Sequence, residues 1–379
     1  MSTVKAASFQ HPSSAEVNLA LAADGTVSGG LPVANRNLLY NGAMQVAQRG
    51  TSTAGITTTG YYTADRWTAN LNAPSAWTQS VENEAPAGSG FRRSLKMRCT
   101  TADTSPTGSE MVRVDQYLEG QDLQRIAKGT ASAQQLTLSF WVKANVTGTY
   151  IVELIDVDNQ RNVSAPYTVS TSATWERKTI TFPADTTGSF DNDNALSFRV
   201  CFGLGAGVDL TGGTLQTTWA TPTSANRYVG QTNLAAAVNN YWQITGVQLE
   251  TGPVATEFEH RSFGDELARC QRYYYMHSKG INQAIGMGTL PNAAGVYCMF
   301  PFPVTMRSTP SVDSSSGTDY YLFYRNGAAD TFNSWTVGST ISPQVGFIYN
   351  ASQISGTSGQ SGFVSTNNAS AYLAFNAEL

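Results

Sequence analysis

Charge is what this sequence has least of. Asp, Glu, Lys and Arg make up 13% of its 379 residues, about half of the ~25% usual in soluble domains. Its polar surface must therefore come from Ser, Thr, Asn, Gln and Gly. The formal net charge is −4 and no block of Lys and Arg occurs, which excludes a surface built to neutralise nucleic-acid phosphates. Cysteine is scarce as well. Cys99, Cys201, Cys270 and Cys298 form no C-x-x-C pair, so neither a zinc knuckle nor a dithiol redox motif is present. No apolar run approaches the ~20 residues that span a bilayer, and residues 1–10 lack the apolar stretch of a secretory signal. The expectation is a chain made in a reducing cytoplasm, with free and mostly buried thiols. His11, His260 and His277 have no partner at metal-ligand spacing, and His260, beside Glu259 and Arg261, reads as an ion-paired structural residue. A G-x-S-x-G elbow, a phosphate loop and a dinucleotide fingerprint are all missing. Little is left for catalysis to use.

What is present is a succession of β-forming runs separated by Gly, Asn, Asp and Pro. NLLYNGAMQ at 37–45 opens a long polar stretch and YWQITGVQLETGPVATEFEHRS at 241–262 closes it. The two read as the first and last strands of one jelly-roll sandwich, side by side although far apart in the chain. Between them lie runs at 94–100, 135–144, 149–157, 176–184 and 195–205, with a further one at 243–250 inside the closing block, a spacing that suits an antiparallel sandwich. In LTLSFWVKA, Leu136, Leu138, Phe140 and Val142 fall on one face, while Thr137, Ser139, Trp141 and Lys143 fall on the other. Residues 262–276 read as a helix capped by Ser262 with Asp265 in the first turn. Phe263, Leu267, Cys270 and Tyr274 lie on one stripe of it, which makes it a connector packing on both domains or, alternatively, a three-helix seam between subunits. Residues 277–379 carry strand runs at 295–304, 320–326, 345–352 and 371–379. Residues 1–35 offer one small hairpin around Asp24-Gly25; a lone hairpin is marginal in water, so such an arm is expected to be held by another chain. The fold class expected is all-β: an antiparallel jelly-roll sandwich joined by a short helix to a smaller C-terminal β-sandwich domain, with an N-terminal extended arm.

Aromatic residues, 11% of the chain with 17 Tyr and 7 Trp, are the natural contacts for sugars, because ring faces stack on pyranose C–H faces while amides bond the hydroxyls. Candidates are Trp141, Tyr150, Trp175, Trp219, Tyr228, Tyr241 and Trp242 in the main body. Tyr320, Tyr321, Tyr324, Trp335 and Tyr349 are the candidates in the C-terminal part. Each ring alone reads better as sandwich core or subunit interface than as a sugar contact. Grouped among Ser, Asn and Gly loops, the C-terminal set points to a receptor surface. The glycan-contact set is therefore Tyr320, Tyr321, Tyr324, Trp335 and Tyr349, with Trp141 and Trp175. DNDN at 191–194 offers Asp191 and Asp193 as calcium candidates, but it lacks the spaced acids and glycine of an EF-hand and reads as a turn; no cofactor is expected. Carboxylate pairs for glycan hydrolysis reduce to Glu110 with Asp115 and Glu153 with Asp156. No β-helical repeat period accompanies them, so the chain is expected not to be an enzyme.

The opening NLLYNGAMQVAQRGT…GYYTADRW, the closing block continued through SFGDELARCQRYYY, and PFPVTMRSTPSV resemble tail-fibre, receptor-binding and related virion proteins of tailed bacteriophages over roughly 36–312. FQHPSSAEVNLALAADGTV resembles their virion-attachment arms. NLL-x-NG, SFWVKA and the W-E-R-K-T-I-T-F run at 175–182 are similar to carbohydrate-binding-module jelly rolls. The resemblance implies a virion-attachment arm at 1–35, a carbohydrate-binding-module-like jelly roll at 36–262, a helical connector at 263–276 and a receptor-binding tip at 277–379. It also implies a homotrimer that contacts other phage tail or virion proteins through residues 1–35 and host surface polysaccharide through its tip, without nucleic acid or membrane insertion, on the tail or another external appendage of the virion. Related jelly rolls hold a structural calcium with acids after the NG turn and in the last strand. Here Gln45 and Thr245 or Gly246 stand there, so neither that calcium nor a sugar groove is implied. A capsid decoration or tail adaptor that binds no sugar is the alternative; a polysaccharide depolymerase is the third.

Overall fold

The computed structural model describes residues 35–379, together with the backbone of three short strands, Ser8–Phe9, Leu19–Leu21 and Val27–Ser28. Leu21↔Val27 pairs across the expected hairpin, whereas its turn at Asp24-Gly25, His11 and the attachment role of residues 1–35 lie outside the described residues.

The chain is all-β, built from antiparallel sheets with few helices. Two six-stranded sheets face each other. The first runs, from edge to edge, Glu176–Phe182, Leu136–Ala144, Tyr241–Thr251, Ser94–Thr101, Ala76–Glu82 and Ser52–Ile56. The second runs Arg161–Val169, Gly148–Asp156, Leu196–Ala206, Met111–Glu119, Thr68–Asn72 and Gly60–Tyr61. Alternation decides which faces meet. Leu136, Leu138, Phe140 and Val142 all point into the shared core, where Phe140 meets Phe202 edge-on at 5.2 Å and Trp242 packs on Phe202 at 5.7 Å. Each such side chain withdrawn from water contributes about 1.5–3 kcal/mol.

The bookends do lie side by side, but only the closing one is a strand. Leu38 N donates to the Leu249 carbonyl (2.8 Å) and Val247 N to the Gly42 carbonyl (3.0 Å). Between them the Asn37 side chain replaces backbone pairing: its Nδ2 donates to the Val247 carbonyl at 3.1 Å and its Oδ1 accepts from Leu249 N at 3.1 Å. The opening segment is an irregular ribbon stitched to the last strand by amide side chains.

Ser262 caps the helix Phe263–Gln271 by accepting from Asp265 N at 3.1 Å. The helix is shorter than the expected 262–276. Arg272 ends it, and Tyr274–Lys279 is a strand paired with Tyr372–Asn376. The expected stripe breaks accordingly: Cys270 is buried, Phe263 is exposed and Tyr274 belongs to the sheet. Tertiary pairing outweighs the helical spacing of three successive tyrosines, whose ring side chains suit a strand.

Beyond the helix a three-stranded sheet, Tyr274–Lys279, Tyr372–Asn376 and Ser311–Ser314, packs on a seven-stranded one. The seven run Ala328–Phe332, Tyr321–Arg325, Ser361–Thr366, Ala284–Thr289, Val296–Pro301, Val345–Asn350 and Thr336–Val337. A second apolar cluster, including Phe302, Tyr321, Phe323, Phe332, Trp335 and Phe375, fills the space between. All four cysteines are buried free thiols.

Candidate functional site

The outer face of the first sheet carries a concave site walled by aromatic rings. The bulge in its last strand falls at Gly246, where φ is +61°. Only glycine takes that conformation without penalty, and a Cβ there would lie 2.6 Å from Phe91 Cζ. The missing side chain lets the Phe91 ring settle on the strand. Phe258 and His260 close around it, with ring centres 4.9 and 5.3 Å from that of Phe91. Trp141, paired across the strands with Thr245 and Arg177, forms the opposite wall. Ser89, Ser139 and Glu257 complete a cleft of about 370 Å³.

The return loop of the closing block builds this wall. Gln248 and Glu250 point outward from the last strand yet are buried, because the chain folds back over them. Glu250 accepts from Thr256 N at 2.9 Å and from its hydroxyl at 2.7 Å. Gln248 Oε1 accepts from Glu259 N at 2.8 Å while its Nε2 donates to the Glu257 carbonyl at 3.2 Å. These bonds place Phe258 and His260 over Gly246. His260 is thus an aromatic wall residue, and the ion pair expected of it is made by its neighbours Glu259 and Arg261 at 3.3 Å.

Trp175 stands on the same sheet face, beyond Arg177, with the Lys143 ammonium 5.6 Å from its ring. Lys143 in turn pairs with Glu84, and that hydrogen bond, more than burial, holds the Glu84 carboxyl below its ordinary range. The two tryptophans picked from the sequence therefore share one outer face.

The C-terminal candidates divide. Tyr321 is fully buried and Trp335 is 7% exposed; both are core residues, Tyr321 stacked on Phe332 at 5.5 Å and Trp335 meeting it edge-on at 4.8 Å. Tyr321 has no ring face left for a ligand, which corrects its place in the expected set: inward alternation in a two-faced sheet took it. Tyr320 is half-buried against that core. Trp335 and Tyr349 line one groove of about 870 Å³ with Tyr297, Phe347, Val337 and three serines. Tyr324 stands apart on the strand surface, 49% exposed.

The carboxylate pairs are not arranged for hydrolysis. Glu153 is buried and fully engaged, accepting from Arg227 Nε and Nη2 at 2.7 Å each, from Tyr228 OH at 2.8 Å and from Asn162 Nδ2 at 2.6 Å. Asp156 is held by Lys128 Nζ at 2.5 Å, and Asp115 by Arg113 Nε at 2.8 Å. Burial raises the Asp115 carboxyl, with Arg113 opposing the shift. Glu110 spends its carboxylate on Thr107 N at 2.5 Å.

Asp191 and Asp193 are exposed and serve the turn: Asp193 Oδ1 accepts from Ala195 N at 2.9 Å. No cluster of three His, Cys, Asp or Glu suited to a metal occurs among the described residues. Where related jelly rolls would hold calcium, the Gln45 carbonyl accepts from Arg93 Nη1 at 3.1 Å and Thr245 is buried. A guanidinium already occupies the neighbourhood, and these residues do not fit a divalent cation.

Sequence reasoning missed Phe91, Phe258 and Arg177. The one available signal was the Q-x-E spacing of Gln248 and Glu250 ahead of Thr256, which anchors the return loop.

No family model matches the sequence, and no curated protein does. Solved structures with a similar course of chain include the enzymatically active domain of tailspike protein 4 of bacteriophage CBA120, at 14% identity and a TM-score of 0.30, covering 57% of this chain and 21% of that one. Another is the xylan-binding CBM22-1 domain of Paenibacillus barcinonensis Xyn10C, at 12% and 0.27, covering 54% of this chain and 94% of that one. A third is the family 11 carbohydrate-binding module of Clostridium thermocellum in complex with a mixed-linked tetrasaccharide, at 10% and 0.27, covering 54% and 98%. Similarity at this level assigns the chain to no family and lends it no activity. No helix among the described residues is long and apolar enough to cross a membrane.

Proposed function

We propose that this chain is a glycan-recognition protein of a bacteriophage virion, a tail fibre or receptor-binding protein that acts without catalysis. The observation that carries the reading is the cleft on the first sheet, where the rings of Trp141, Phe91, Phe258 and His260 face Arg177, Glu257 and two serines. Ring faces beside hydrogen-bonding side chains form the chemistry that holds a saccharide. The ion pairs and hydrogen bonds that hold Glu153, Asp156, Asp115 and Glu110 support binding over hydrolysis. On this reading residues 36–262 are a jelly roll, the helix after Ser262 a connector and the sheets from Tyr274 onward a distal domain, residues 1–35 attach the chain to the virion, and three copies assemble so that weak contacts add by avidity.

One observation favours a second reading, a capsid decoration or tail adaptor that binds no sugar: Tyr321 is sealed in the core rather than offered on a receptor surface. Binding of the full chain to purified host surface polysaccharide, followed with a reducing-end assay, separates the readings. Saturable binding without new reducing ends is the expected result. No binding at millimolar saccharide defeats the proposal in favour of the adaptor, and released reducing ends defeat it in favour of a depolymerase.

A further inference from the structure

The seven-stranded sheet buries one face and leaves the other open. Ile285, Val296, Cys298, Phe323, Ile348 and Val364 point into the core, so their alternates point outward. In register across the open face, Tyr324 pairs with Phe363 and Phe363 with Met287, while Met299 pairs with Phe347. Met287 is 65% exposed, Met299 59%, Tyr324 49% and Phe363 42%. No Asp, Glu, Lys or Arg of these strands points outward: Arg325 and Asp330 face inward and pair with each other at 2.7 Å. The outward polar groups are the hydroxyls of Ser, Thr and Tyr.

We infer that this charge-free face is where copies of the chain meet one another. Protein interfaces are enriched in Met and aromatic residues and depleted of charge, and thioethers adapt to an identical surface. A saccharide would find ring faces here but no amide or charged group to bond its hydroxyls. The complement of an uncharged apolar face is another such face. Among the described residues the other large exposed apolar side chains are Tyr297 and Val337, which belong to the same sheet, and Val208, Val238, Val254, Phe263 and Ile281, which come from separate loops and two helices, so the matching surface on this chain is the same sheet. Its size suffices: six strands of five or six residues and one of two, about 4.8 Å apart and ~3.3 Å per residue, give a footprint of roughly 600 Å², somewhat below the ~800 Å² per partner of a standard interface. A patch of this extent stands at the upper end of those found on monomers, where they are often functional.

Light scattering on the full chain tests the inference without any sugar, so its outcome is independent of the glycan reading. The wild type is expected at a whole multiple of 40.6 kDa, and Met287→Lys with Met299→Lys is expected to reduce the mass to that of one chain with an unchanged circular dichroism spectrum. A monomeric wild type, or a well-folded double variant of unchanged mass, overturns it. A second measurement needs no variant: peroxide oxidation mapped by mass spectrometry. Met287 and Met299 are expected to oxidise at least 10-fold more slowly in the native protein than in denaturant; oxidation at the denatured rate overturns the inference.

Discussion

The guanidinium carbon of Arg66 lies 3.4 Å from the centre of the Tyr273 ring. Arg66 is fully buried; its Nη2 donates to the Tyr117 carbonyl at 2.6 Å and its Nη1 to the Glu378 carboxylate. This one side chain joins the sandwich, the residue following the helix and the last strand's extension. Breaking a buried ion pair from one side leaves an uncompensated charge and costs about 3–5 kcal/mol. Glu378→Gln is therefore expected to lower urea-unfolding stability by roughly 3 kcal/mol. Adding Arg66→Met should recover part of that loss, a coupling that a double-mutant cycle reads directly. Simple additivity of the two losses would refute the pairing.

Asp65 makes stability depend on pH in an unusual direction. It is fully buried, and burial raises its carboxyl to about 6 in spite of Arg49 and hydrogen bonds from Gln48. Its folded value exceeds its unfolded one, so the native state holds the proton more tightly. That contribution is complete below the unfolded value and is lost as pH rises through about 6. Between pH 4 and 7 the term is worth on the order of 3 kcal/mol. The stability difference between wild type and Asp65→Asn should drift by that order across this range, with the wild type losing ground as pH rises. A difference constant from pH 4 to pH 7 would contradict the assignment.

Gly42 explains the NG of the opening motif. Asn41 takes a left-handed conformation, φ +52°, and its buried amide spans the turn by donating to the Val46 and Asp65 carbonyls at 2.8 and 3.0 Å. A Cβ on Gly42 would sit 2.2 Å from the Val247 carbonyl oxygen. The neighbour is backbone and cannot rotate away. Gly42→Ala should destabilise by about 1–3 kcal/mol through this overpacking and loosen amide exchange at Val247. An unchanged melting temperature would show that the ribbon does not need that approach.

Trp141 is the ring on which the saccharide reading can be tested. Its strand position is set by inward neighbours Phe140 and Val142, so truncating it leaves the core intact. Trp141→Ala is expected to weaken saccharide binding about 10-fold, or ~1.4 kcal/mol, and Trp141→Phe by less, in isothermal titration. Equal losses for both variants would locate the contact elsewhere.

Period-two patterning made much of the fold legible in advance. The run at 135–144 became Leu136–Ala144 with the expected faces inward, and the run at 195–205 became Leu196–Ala206. A strand of alternating apolar residues has one way to bury them, so local sequence suffices. The strands Met111–Glu119 and Arg161–Val169 were not singled out, because their outward faces carry Arg113, Asp115 and Ser164 and their polarity hid them. Those residues are buried by the loop that brings Arg227 and Tyr228 to Glu153, a partner about 75 residues away that no window of sequence contains.

The sequence by itself determined the class: an all-β chain with little charge, free thiols, a capped helix after Ser262 and no motif for catalysis, since composition, alternation and capping act within a few residues of chain. Tertiary structure alone decided which aromatic rings face water. Tyr321 and Tyr324 sit three residues apart in one strand, yet one is sealed in the core and the other half-exposed. The cleft was decided in the same way, by the return of residues 252–260 over Gln248 and by the absence of a side chain at Gly246. Both depend on which surfaces cover one another, and that is a property of packing between distant segments.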